Sequence, residues 1–173
     1  MTPLFRWSSL CLCLAFVSAV APTLADAAPR GYGWPLSPRP RVVTPYDPPD
    51  QRWQSGHRGV DLAASAGSSV LAAGSGTVSF AGDVGGKPVV SIRHADGLLT
   101  TYEPVDAIVS KGQTVTRGQV IGTVTSGHAG CPTTTCLHWG ARRGSGSSAV
   151  YLNPLALVDA VRVRLKPVGT VAN

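Results

Sequence analysis

An all-β fold is predicted by three features of this 173-residue chain. Short runs rich in β-branched and aromatic residues recur between Arg41 and Arg142, glycine-containing pairs separate them, and a single segment, Pro154–Val161, offers a helix start. Many short strands with evenly spaced turns build a compact antiparallel sandwich or barrel, here with one short C-terminal helix.

Taken in order, the first segment stands outside that fold. Leu10–Ala21 is almost wholly apolar and follows Arg6. It is shorter than the ~20 residues a bilayer span needs, but it suits the apolar centre of a secretory signal. Ala25-Asp26-Ala27 supplies a small-x-small cleavage site, which assigns residues 1–27 to a signal peptide and leaves no membrane span in the mature chain. An uncleaved signal anchor is the alternative. Under either reading the remainder is exported, to the periplasm, the cell wall or the medium.

Seven prolines between Ala28 and Asp50 exclude a packed helix there. Residues 28–40 therefore read as an extended arm and Arg41–Tyr46 as the first strand. Further strands are expected at Ser69–Ala72, Gly76–Ala81, Pro88–His94, Leu98–Glu103, Gln119–Val124 and Cys136–Arg142. Asp96-Gly97, between two β-rich runs, is a strong hairpin signal, and His94 just before it reads as a surface histidine. Asn153 as cap and Pro154 as first residue open the helix. The folded domain then covers residues 41–160, followed by a tail over 161–173.

Composition narrows the function. The net charge is +6, which suits a polyanionic neighbour such as acidic wall polymers. The positive residues are dispersed and aromatics are few, so no nucleic-acid footprint is present. Signal cleavage removes Cys11 and Cys13 and leaves Cys131 and Cys136. In an oxidising compartment this pair forms a disulfide. Together with His128 and His138 the same cysteines would also suit a small structural zinc site, and a nucleophilic Cys136 is a third reading that needs a reduced thiol.

The stretch Gly56-His57-Arg58-Gly59-Val60-Asp61 carries the second cluster of candidate ligands. In a straight strand His57 and Asp61 stand about 13 Å apart, too far to share a metal bound near 2 Å. Gly59 between them permits a turn that brings them together. In Cys136-Leu137-His138 strand alternation puts Cys136 and His138 on one face and Leu137 toward the core.

The segment Lys111–Val124 resembles the hybrid-motif sandwich of lipoyl and biotinyl domains, although none of Lys87, Lys111 or Lys166 sits in the tight hairpin those carriers modify. The ordered set GHRGVDLAASAGSSVLAAGSGTVSFAG, TTYEPV, KGQTVTRGQVIGTV and CLHWG resembles the zinc peptidases of family M23, the lysostaphin- and LytM-like cell-wall endopeptidases. The resemblance runs from about Arg41 to Leu157. It implies a LytM-like all-β sandwich, one zinc ion held by His57, Asp61 and His138, and hydrolysis of peptidoglycan peptides. A non-catalytic LytM-like module that binds wall or regulates a partner hydrolase in the envelope is the alternative.

Two positions depart from the family pattern. Cys136 replaces the first histidine of His-x-His, and Tyr102-Glu103-Pro104 replaces Tyr-x-His. Glu103 and His128 are the candidates to replace the missing catalytic imidazoles. Strand alternation aims Glu103 away from the metal unless Pro104 re-aims it. His128 lies on a loop that a Cys131–Cys136 disulfide would hold beside the metal-bearing strand. Trp139 either packs or lines the substrate groove, and Arg142 and Arg143 either meet wall carboxylates or are an exposed strand end.

Overall fold

The computed structural model describes residues 31–128 and 130–158. The expected signal peptide, the first residues of the expected arm, the end of the expected helix and the expected C-terminal tail lie outside the described residues. The strands are β1 (Val42–Thr44), β2 (Gly59–Ala63), β3 (Ser69–Leu71), β4 (Gly76–Val84), β5 (Lys87–His94), β6 (Leu99–Glu103), β7 (Val105–Ala107), β8 (Thr114–Val115), β9 (Val120–Val124), β10 (Cys136–Arg143) and β11 (Val150–Leu152). They form an eight-stranded sheet of order β1-β2-β10-β6-β5-β4-β8, with β11 also beside β10, and a three-stranded sheet β3-β9-β7. Every pairing is antiparallel. The expected all-β sandwich is the observed architecture. The C-terminal helix begins at Pro154 as expected, but its described part, Pro154–Val158, is a short 3-10 helix.

Alternation decides which side chains build the core and which build the outer face. Val60, Leu62, Val90, Ile92, Tyr102, Leu137 and Trp139 point inward from the large sheet and meet Val70, Val105, Ile121 and Val124 of the small one. Each such aliphatic side chain contributes roughly 1.5–3 kcal/mol by leaving water. Trp139 is fully buried, so its role is packing. The arm is docked rather than free: Gly33 N–H donates to Ala73 O, Leu71 N–H donates to Pro35 O, and Trp34 packs beside Trp139. The outer face then carries the alternate residues. Asp61, His138 and Glu103 stand level with one another in a single row across β2, β10 and β6.

His94 departs from its expected surface position, because it is 5% exposed and sits inside a polar chain. Ala73 N–H donates to the Tyr102 hydroxyl at 2.9 Å. Tyr102 and Thr100 hydroxyls bond at 2.9 Å, and Thr100 reaches His94 Nε2 at 2.8 Å. Only one set of proton directions satisfies all four groups: Tyr102 O–H donates to Thr100, Thr100 O–H to Nε2, and His94 Nδ1–H to Ser75 O at 2.9 Å. The ring is thereby held neutral, and burial lowers its pKa from the ordinary histidine value.

Candidate metal centre

The first candidate ligand, His57, lies two residues before β2. A backbone bridge to Asp47 fixes His57, and its Nδ1–H donates to Pro45 O at 2.6 Å. That bond sets the tautomer: the lone pair of Nε2 faces the other candidate ligands, as for a metal-bound imidazole with its second nitrogen anchored. Asp61 is nearly buried on β2, and His138 faces it from β10. His57 Nε2 to Asp61 Oδ1 is 3.1 Å, His57 Nε2 to His138 Nδ1 is 3.1 Å, and His138 Nδ1 to Asp61 Oδ1 is 3.0 Å.

This triangle fits zinc. Ligands of a tetrahedral ion bound at about 2.0–2.1 Å stand about 3.3–3.4 Å apart, so the observed edges need only slight widening. The donor set of two imidazoles and one carboxylate leaves one position for a non-protein ligand, as in catalytic zinc sites.

Gly59 makes the triangle possible, though not by turning the chain. It is a strand residue opposite Gly140, and the backbone stays extended. A Cβ placed there would lie 2.6 Å from His138 Nε2, 2.7 Å from Cε1 and 2.6 Å from Trp139 O. The missing side chain is the space the imidazole occupies.

Both replacement candidates are at the site. Register puts Glu103 opposite His138, with Tyr102 on the core side, so alternation aims Glu103 toward the cluster rather than away from it. Pro104 acts one residue later, where the chain leaves the large sheet for β7 of the small one. His128 Nε2 stands 3.1 Å from Asp61 Oδ1, and its ring stacks on that of His138 with centroids 5.6 Å apart. Its buried Nδ1 has no hydrogen-bond partner among the described residues and faces Glu103 Oε1 at 3.8 Å. The Cys131–Cys136 disulfide is present, with Cα atoms 5.9 Å apart, and it ties the His128 loop to β10 two residues before His138.

The charges interlock. Burial pushes the Asp61 carboxyl up, but hydrogen bonds from His128, His138 and Thr44 outweigh it and hold the group well below the carboxylate range. Beside it, His128 is raised to about 9, first by Asp61 and then by Glu103, against the cost of burial. Glu103 is lowered to about 2, mainly by the His128 imidazole and, after an opposing burial cost, by Lys87. Lys87 Nζ lies 2.9 Å from Glu103 Oε1. Sequence reasoning missed Lys87, Pro45 and Thr44. The Gly85-Gly86 turn that precedes Lys87, with φ of 61° and 82°, was legible, but the partner across the sheet was not. Arg143 pairs with Asp96 and Arg142 bonds to Gly144 O, so neither reaches the site.

An all-β domain with two imidazoles and a carboxylate converging on one sheet face defines a candidate single-metal centre of the hydrolytic type. The chain belongs to peptidase family M23, whose members are usually zinc-dependent: residues 55–154 match that family. It is 49% identical over 163 residues to an uncharacterized protein of Mycobacterium tuberculosis, covering 94% of this chain but 64% of that one, so it spans just under two thirds of that relative's length. Among solved structures it is similar to the catalytic domain of the antimicrobial peptidase lysostaphin from Staphylococcus simulans, with a TM-score of 0.59 and 26% identity over 69% of this chain and 92% of that one. It is also similar to a chain of the SpoIIQ–SpoIIIAH pore-forming complex, with a TM-score of 0.62 and 27% identity over 73% and 90% of the two chains. Among the described residues no helix is long and apolar enough to cross a membrane.

Proposed function

We propose that the protein is an exported zinc metalloendopeptidase that hydrolyses peptide bonds of bacterial peptidoglycan. The observation that carries this reading is the triangle of His57 Nε2, Asp61 Oδ1 and His138 Nδ1, with edges of 3.0–3.1 Å and a pre-set His57 tautomer. When bound there, zinc supplies a Lewis acid for the scissile carbonyl and lowers the pKa of water.

The chain's own residues supply the rest. His57, Asp61 and His138 hold the ion. His128 presents Nε2 to the cluster and serves as the proton-transfer group, within reach of a reacting atom beside Asp61. Glu103 stands behind Nδ1 and orients the ring, while Lys87 fixes Glu103. The two auxiliary histidines of the family are thus replaced by one histidine from a different loop and a carboxylate beside it. The loss of both family imidazoles is also what favours the second reading, a non-catalytic wall-binding or regulatory module with an envelope partner.

Metal analysis beside digestion of purified muropeptides separates the two. The wild type should hold about one zinc and cleave, and Asp61→Ala should lose both properties. His128→Ala should keep its zinc and lose turnover by on the order of 100-fold, with a smaller loss for Glu103→Gln. Zinc-loaded wild type that binds wall but cuts no wall peptide would establish the second reading.

A further inference from the structure

A pocket of roughly 540 Å³ includes none of the candidate metal ligands but is lined by Arg58, the residue after His57. One wall is the 46–58 loop, and the other is the connection from β10 to β11 with β11 itself. The loop is the same one that anchors His57 through its bridge to Asp47, and Arg58 follows His57 directly. The pocket and the candidate metal site therefore share one loop.

Two guanidinium groups line it. Arg52 donates from Nη2 to Gly146 O at 2.8 Å and from Nη1 to Ser147 O. Arg58 donates from Nη2 to Arg52 O at 2.7 Å and to Gln54 O at 3.1 Å. Every one of these acceptors is a neutral carbonyl. Among the described residues no carboxylate lies within ion-pair distance of either arginine, not even Asp47 or Asp50 of the same loop. Both cations are thus held in place without being neutralised, which is how a site for an external anion is prepared. Aromatic surface accompanies them. Trp53 is 83% exposed at the rim, and the Tyr151 ring lies 5.6 Å below the Arg58 guanidinium. An exposed tryptophan alone is unremarkable; beside two unneutralised arginines it offers an apolar cover for the carbon atoms next to a bound anion.

We propose that this pocket binds a free carboxylate of the peptide substrate, with Arg52 and Arg58 recognising the anion and Trp53 and Tyr151 covering the adjacent carbons. The proposal rests on the peptidase reading and narrows its substrate class to acidic peptides, discriminating against stems whose carboxylates are amidated.

Calorimetric titration of the full chain with the peptide L-Ala–γ-D-Glu–L-Lys–D-Ala, carboxylates free or all converted to carboxamides, tests it. Both metal-free and zinc-loaded protein are used. The free acid should bind at least tenfold more tightly in both forms, Arg52→Gln and Arg58→Gln should each remove most of that preference, and Trp53→Ala should weaken both peptides alike. Arg58 also supports its own loop, so if Arg58→Gln fails to fold the other two variants carry the test. Equal binding of the two peptides, binding of neither, or a preference that survives in the arginine variants overturns the proposal. So does a preference seen only with zinc, which places the carboxylate on the metal. A preference in metal-free protein that never cuts wall supports the pocket while removing the peptidase reading.

Discussion

Adding one methyl group at Gly59 should damage the fold and the metal centre together. An alanine Cβ there meets Trp139 O and His138 Nε2, both at 2.6 Å, whereas ordinary contact begins near 3.4 Å. Relief therefore needs about 0.8 Å of movement. The carbonyl is backbone, and the indole of the same residue is fully buried, so β10 has little freedom to retreat. The cost belongs to overpacking, about 1–3 kcal/mol. The same displacement acts on the Asp61–His138 pair two residues along the strands, now 3.0 Å apart, and should weaken zinc binding by about tenfold or more. Gly140→Ala is the control, because its Cβ would find nothing closer than 3.7 Å and should change stability by less than about 1 kcal/mol. Urea unfolding followed by tryptophan fluorescence, with zinc competition against a chelator, reads both effects. Gly59→Ala with unchanged stability and zinc affinity, or a Gly140→Ala variant equally impaired, would refute the steric account.

Two further outcomes are expected. Replacing Cys131 and Cys136 with alanine releases a loop whose ends are five residues apart, which should cost about 2 kcal/mol from chain entropy. Turnover should fall further than zinc content in that variant, and equal losses would show that the loop does not position His128. The buried His94 gives a pH dependence whose sign follows from its lowered pKa: below about 6.5 the unfolded chain takes up the proton more readily than the folded one. Stability is therefore full above that value and declines as pH falls below it toward the folded pKa. Metal-free His94→Gln should show a flatter decline than wild type between about pH 6.5 and 5, and parallel unfolding curves would contradict the assignment.

What the sequence revealed depended on the range of the interaction. Strands marked by glycine turns were legible because turn chemistry is local. Asp96-Gly97 connects antiparallel neighbours as expected, with Gly97 at φ 82°, and Gly85-Gly86 joins β4 to β5 in the same way. The two-residue β8 and the short β7 and β11 carry too little pattern to mark a strand, and their pairing is set by neighbours far along the chain. The candidate metal ligands were readable as an ordered motif set. Their supports were not, since Pro45, Thr44 and Lys87 act through a backbone carbonyl or across the sheet. His94 was misjudged for the same reason. Its position beside a turn suggested solvent, whereas its partners Ser75 and Thr100 close over it only in three dimensions. Glu103 shows that alternation needs a register: counted along one strand it faced the wrong way, but set against His138 it faced the cluster.

The tether between Cys131 and β10 also implies an order of assembly. His57, Asp61 and His138 are placed by the β1–β2 region and β10, so a chain with reduced cysteines can already gather them. His128 belongs to the stretch between β9 and β10: Thr125 N–H donates to Pro104 O on its near side, and the disulfide ties its far side three residues after the imidazole. Under the proposed function, metal loading and proton handling would thus mature on separate clocks. Under that same function, a copy with reduced cysteines would hold its ion while the far end of the His128 loop is untied, so its turnover would rise on first exposure to an oxidant.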